Sequence, residues 1–269
     1  MSKTSDMTEG KVTRLILAFF FPMLATNMLQ QLYSIADTAI VGKGLGDDAL
    51  ASVGNMSSLT FLIIGFSQGL STGFSVLIGQ NFGARDYGRM RRTTAASIKL
   101  AAIITLILTA VSVIFLRPVL GLLRTDSSIM KDSLTYGYII FGGLFASIAY
   151  NMCSGILRAL GDSRTPLTAI IISTVINIVL DWFFIFVMKT GVEGAAIATV
   201  LAQVISTAVC FSKLRKLEIL RLSRKDFTSD LALSAGLLKN GLPMALMNSI
   251  TAVGCMVIQY FVNGLGVAY

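Results

Sequence analysis

Seven apolar stretches, each twenty or more residues long and separated by short polar or charged segments, leave this chain few folds to choose from. About 20 apolar residues are what an α-helix needs to cross roughly 30 Å of hydrocarbon. Inside lipid, only helices and closed barrels satisfy their own backbone. The stretches fall at roughly 15–42, 50–79, 94–116, 132–157, 166–188, 193–212 and 234–262. Soluble domains carry roughly 25% charged residues. This chain carries 13%, with 54% hydrophobic residues and a mean hydropathy of +0.76. The sequence therefore predicts an all-α membrane protein, a polytopic bundle of transmembrane helices.

Lys and Arg near span ends set the orientation of such a bundle. Sixteen of them fall on one side of the seven spans and five on the other. Lys99 lies inside the third span near its basic end, where it can snorkel. The net charge of +8 reads as a topology signal, and no nucleic-acid partner is expected. The expected arrangement puts the N-terminus in the cytoplasm and Tyr269 outside. The first apolar run is too long for a cleavable signal and lacks a small-residue cleavage site, so it reads as the first span. The expected units are a cytoplasmic segment 1–14, a six-helix lobe 15–212, a cytoplasmic connector 213–233 and a further helix 234–269.

Seven-helix receptors place the N-terminus outside, against this charge count. The last span also echoes the first. With Pro22-Met23 on Pro243-Met244, Asn27 falls on Asn248, and with one residue removed Gly44-Leu45-Gly46 falls on Gly264-Leu265-Gly266. This reads as the start of a second copy in a parallel repeat. The echo has no counterpart of Asp37, which falls on Val257 or Ile258.

The acids point to chemistry. Of fourteen, twelve lie in loops or at span ends, which leaves Asp37 and Asp181 inside spans. A lone carboxylate in a span costs roughly 2.5–3.5 kcal/mol on insertion scales and faces protein or water. Asn27, Gln30, Ser34 and Asp37 recur at spacings of three and four, one polar seam on the first span. Asp37 lies about five residues from the outer end of its span and Asp181 about eight before Lys189. Asn177 is one turn from Asp181 and Thr174 continues that face. Thr199 is about six residues beyond Glu193, followed by Gln203 and Ser206. Three helices can thus bring Asp37, Asn177, Asp181 and Thr199 to one level, as candidate coupling residues for a proton or a small hard cation such as Na+. Asn27, Gln30, Tyr33, Ser34 and Gln203 are candidate cavity-lining residues.

Other chemistries lack their residues. Histidine is absent and no CxxC or HExxH occurs, so neither a zinc site nor a Cys/His pair is available and no enzyme is expected. Cys153, Cys210 and Cys255 read as buried free thiols. Gln68, Ser71, Thr72 and Ser75 read as helix packing. Ser147, Asn151, Ser154 and Arg158 suit a cavity lining or a packing seam equally. The run GARDYGRMRR, residues 83–92, reads as a basic loop anchored to anionic lipid.

In order along nearly the whole chain, QQLYSIADTAIVGKGLGDDALASVG (30–54), GQNFGARD (79–86), LRALGDSRTPL (157–167), NIVLDWFFIF (177–186) and GVEGAAIATVLAQ (191–203) resemble the multidrug and toxic compound extrusion (MATE) transporters. The missing carboxylate in the seventh span makes the chain look like the DinF-like bacterial branch. The resemblance implies seven spans of a twelve-span, two-lobe transporter, the first lobe plus one helix of the second. It implies export of organic, often cationic compounds across the bacterial cytoplasmic membrane, driven by H+ or Na+ and needing no other cofactor. It implies a monomer at full length, with small organic substrates and membrane lipid as its partners. Matched motif to motif, Asp37 is the first-helix Asp, Asn177 and Asp181 the fifth-helix pair and Thr199 the sixth-helix hydroxyl. A related flippase for lipid-linked oligosaccharides is the alternative. It would need basic residues at mid-depth, which the spans lack.

Overall fold

The computed structural model describes residues 12–227 and 230–264. Its helices are α1 (Val12–Leu45), α2 (Asp47–Gly83), α3 (Tyr87–Leu122), α4 (Ser127–Gly142), α5 (Leu144–Ala159), α6 (Arg164–Trp182), α7 (Val192–Arg215) and α8 (Leu231–Asn263). A π-helical turn, Phe183–Val187, continues α6, and two 3-10 turns, Glu218–Leu220 and Arg224–Phe227, lie between α7 and α8. Among the described residues, six helical segments are long and apolar enough to span a membrane, and seven if the pair α4–α5, bent by 45°, counts as one span.

Carboxylates at the helix starts explain seven of the twelve acids among the described residues. Asp86 accepts from Arg89 N at 2.9 Å, Asp126 from Ser128 N at 2.8 Å and Asp230 from Leu233 N at 3.0 Å. Asp162 accepts from Thr165 N at 2.9 Å and Arg164 N at 3.1 Å. Asp47, Asp48 and Glu193 sit in first turns, where a negative charge meets the positive end of the helix dipole. These caps carry the helices past the apolar spans. They also correct the reading of residues 83–92 as a loop. Only 84–86 turn, and Arg89, Arg91 and Arg92 stand on the first turns of α3 around the fully buried Met90.

The fourth span breaks at Gly143, which the apolar run alone did not reveal. A β-carbon there would collide with Val200 of α7, so only glycine allows this approach. The Gly142-Gly143 pair is the local cause of the bend. Two apolar clusters fill the bundle. One joins Val41, Met56, Phe141 and Ile185 at the end where α1 stops. The other joins Phe74, Met90, Leu157 and Cys210 at the end where α2 stops. Of the three thiols expected to be buried, Cys210 is buried and Cys153 partly so. Cys255 is exposed, on a face of α8 that nothing covers among the described residues.

α8 runs antiparallel to α2 and packs along it. Gly73 meets Gly241, Gly69 meets Ala245, and Asn248 Nδ2 donates to Gly65 O at 3.0 Å. Small residues let the two backbones approach, as in membrane helix pairs generally. At the far end, Asn263 Nδ2 donates to Asn55 Oδ1 at 2.9 Å and Leu123 O at 2.8 Å, and the Arg124 guanidinium lies 4.7 Å from the Tyr260 ring centroid. Asn263→Ala is expected to loosen this end by about 0.6–1.7 kcal/mol for each bond lost. Faster amide exchange confined to the last turns of α8 checks it.

Candidate functional site

α1 presents two polar strips, not one seam. Thr26 and Asp37 are buried and Gln30 and Tyr33 partly so, along one strip spaced four, three and four. Asn27, Gln31 and Ser34 lie on the adjacent strip and are exposed. Residues 27 and 30 differ by about 60° around a helix, enough to separate the strips once α6 packs on one of them. Of the candidate lining residues, Gln30, Tyr33 and Gln203 therefore face the bundle, and Asn27 and Ser34 do not.

On α6 the inward strip is Ser173, Asn177 and Asp181, with exposures of 2%, 0% and 0%. Ser173, not Thr174, continues the face. Both hydroxyls bond back to Ile170 O, but Thr174 is only half-buried. Directly after Asp181 and Trp182 the helix widens into the π turn, a distortion common at functional sites. Gly44 of α1 packs against Ile185 and Phe186 of that turn so closely that a β-carbon would clash. This contact holds α1 against α6. Asp37 then stands eight residues before the end of α1, Asp181 six before the end of the π turn, and Thr199 seven after the start of α7. At 1.5 Å per residue, all lie roughly 10 Å inside the same end of the bundle.

The structure brings the four coupling candidates together. The Asp37 and Asp181 side chains approach one another, Asn177 lies beside Asp181, and the Tyr33 hydroxyl lies beside Thr199. Tyr136 of α4, buried to 7% exposure, faces the same two carboxyls. It was missed in the sequence because one tyrosine in an apolar span has no distinguishing spacing. These approaches stop short of completed hydrogen bonds. Tyr33 Oη, Asp37 Oδ1, both polar atoms of Asn177, both oxygens of Asp181, Thr199 Oγ1 and Gln203 Oε1 are buried without a partner. Buried polar atoms in folded proteins are nearly always paired. Here eight lie on three packed helices, α1, α6 and α7, and seven are oxygens. Such a donor set fits a proton or a hard cation and does not fit a soft metal.

Elsewhere the polar groups are dispersed or satisfied. Ser75 Oγ and Thr72 Oγ1 bond to Ser71 O and Gln68 O within α2, in keeping with packing. Tyr150 and Ser154 on α5 hold two further buried, unpartnered hydroxyls. The letters Gly-Phe-Ser-Gln-Gly at 65–69 match a hydrolase nucleophile pattern, but Ser67 sits mid-helix and donates to Ile64 O at 2.8 Å. It lacks the strand-to-helix turn that exposes such a serine, and there is no histidine to activate it.

A multi-span helical bundle with an incomplete polar cluster at membrane depth defines a multi-pass membrane protein. The MatE family model matches residues 22–183. "Probable multidrug resistance protein YoeA" of Bacillus subtilis strain 168 is 31% identical over 271 residues, covering 98% of this chain and 58% of the relative. "Probable multidrug resistance protein YpnP" of the same organism is 31% identical over 269 residues, covering 98% and 59%. Among solved structures, a multidrug resistance MATE family transporter in its outward-facing conformation superposes with a TM-score of 0.85 at 27% identity, over 92% of this chain and 55% of that one. The chain belongs to the MatE family, and it spans little more than half the length of the relatives it matches.

Proposed function

We propose that this chain is the ion-coupling part of a multidrug exporter in the bacterial cytoplasmic membrane, driven by H+ or Na+. The observation that carries the reading is the set of eight buried, unpartnered polar atoms on two adjacent turns of α1, α6 and α7. In this reading residues 15–212 form the first lobe, 213–233 the cytoplasmic connector and 234–269 the first helix of a second lobe, with the N-terminus cytoplasmic and the whole protein a monomer. Asp37, Asn177, Asp181 and Thr199 hold the ion, with Tyr33 and Gln203 beside them. An ion shifts a conformational equilibrium only by its differential affinity for the two states. Coupling therefore requires that α1 move against α6 and α7 when the carboxyls change their occupant. The substrates are small organic compounds, as for the relatives named multidrug resistance proteins.

The flippase alternative is not favoured. Lys99, the cation deepest in a span, is held toward the connector by its bond to Phe227 O at 2.9 Å. Among the described residues, no guanidinium or ammonium stands beside the buried polar cluster of α1, α6 and α7 to hold a pyrophosphate there.

The test is efflux of a fluorescent organic cation from proteoliposomes of the full-length transporter, under a pH gradient alone and a Na+ gradient alone. Export under one gradient names the ion, and export under neither rejects the reading. Thr199→Ala separates the ions further. A hydroxyl oxygen can ligate Na+ but is not needed to protonate a carboxylate. Na+-driven export is expected to fall about tenfold, and H+-driven export to change little.

A further inference from the structure

A cavity lies away from this cluster. A groove of about 880 Å³ runs between α3, α5 and α7 and is floored by the connector at Leu220–Leu222. No residue of α1, α2 or α8 lines it, so it opens away from the helix on which the chain continues past α7. Its walls are apolar and face outward, with Leu106 at 72%, Phe145 at 56% and Phe211 at 52% exposure. At one end, and only there, two charges line it, Arg215 in the last turn of α7 and Arg221 after the first 3-10 turn. No acid lines it, and among the described residues neither guanidinium has a carboxylate partner. The floor is fixed in place, because Leu217 and Leu220 are buried in the adjoining apolar cluster and Lys99 ties Phe227 to α3.

An apolar slot at hydrocarbon depth with two cations at its headgroup end matches one molecule of the bilayer. Its acyl chain would take the walls and its phosphate the guanidiniums, since basic pockets between spans hold anionic headgroups. We propose that this groove is a binding site for a single anionic phospholipid from the leaflet on the connector's side. The site is separate from the ion cluster, and its occupancy does not depend on the transport reading. The competing account is local. Arg215 lies 5.9 Å from the Phe211 ring centroid, and both arginines would then merely snorkel into water.

The two accounts differ in headgroup selectivity. The 269-residue chain, purified in neutral detergent, is incubated with phosphatidylglycerol or phosphatidylcholine of identical acyl chains, and retained lipid is counted by native mass spectrometry. One phosphatidylglycerol is expected to stay bound, with about thirtyfold preference over phosphatidylcholine, the product of two cationic contacts. Arg215→Gln with Arg221→Gln should abolish the preference. Ala102→Trp, which fills the exposed groove and leaves the charges, should abolish retention of both lipids. Equal retention of the two lipids by the unaltered chain overturns the site. So does a preference that survives the double arginine change, or retention that survives Ala102→Trp. If the tryptophan variant fails to fold, the arginine variant decides alone, because its exposed side chains do not enter the core.

Discussion

Asp181→Asn in the full-length transporter is expected to abolish ion-driven export while leaving the bundle folded. Asp181 is fully buried and neither of its oxygens has a hydrogen-bond partner. Asparagine keeps the shape but can neither exchange a proton at neutral pH nor offer a negative charge to Na+. Loss of a supporting group around a bound ion costs 10–100-fold in affinity, and loss of a charged ligand should cost at least as much. Asp37→Asn should behave alike, since its Oδ1 is buried and unpartnered in the same cluster. A purely structural role predicts a different pair of results. If the carboxyls held the bundle together, the variants would unfold at lower temperature. If they serve transport, melting in detergent stays level or rises, because a buried ionisable group has been replaced by a neutral one. Undiminished export at normal expression would reject the coupling role of this pair.

The largest structural effect is expected at the α2–α8 contact. A β-carbon on Gly73 would stand 2.5 Å from Asn240 O and from Gly241 Cα, and one on Gly69 would stand 2.5 Å from Ala245 Cα. These neighbours are backbone, so no rotamer change relieves the clash. Gly73→Leu should drive the helices apart and lower stability by about 1–3 kcal/mol or more. Proteolysis within the connector should become faster as α8 leaves its groove. Gly54→Ala is the matched control on the same helix. Nothing lies within 4 Å of a β-carbon there, and removing a helical glycine should leave stability unchanged or raise it by up to about 1 kcal/mol. Equal behaviour of the two variants would mean that close approach at Gly73 does not hold the pair together.

The sequence made the candidate site unusually legible, because an acid in a span has so few explanations. Twelve of the fourteen acids fall in loops or at span ends, which isolates Asp37 and Asp181 without a structure; the structure then shows Asp86, Asp126, Asp162 and Asp230 bonded to backbone N–H groups at helix starts. Counting residues from span ends was enough to set Thr199 at their level, since rise per residue is nearly constant along a helix. The same arithmetic could not decide between Asn27 and Tyr33, or between Thr174 and Ser173. Ser173 and Thr174 stand about 100° apart around their helix and Asn27 and Tyr33 about 120° apart, and only the position of the neighbouring helix tells which direction is inward. Tyr136 had no signal of its own, and the break at Gly143 was hidden inside a run of unbroken hydropathy.

Hydropathy, charge bias and the placing of acids by themselves determined an all-helical, multi-pass bundle with two carboxylic acids at matched depth. These properties are additive along the chain, and each span reports them without reference to the others. Tertiary structure decided which strip of α1 is buried, where α4 bends into α5, how α8 locks along α2, and that a basic-ended groove opens between α3, α5 and α7. Those features depend on the distance and rotation between helices, set by Gly44, Gly73 and Gly143 against partners far away in sequence. No periodicity within one span encodes them.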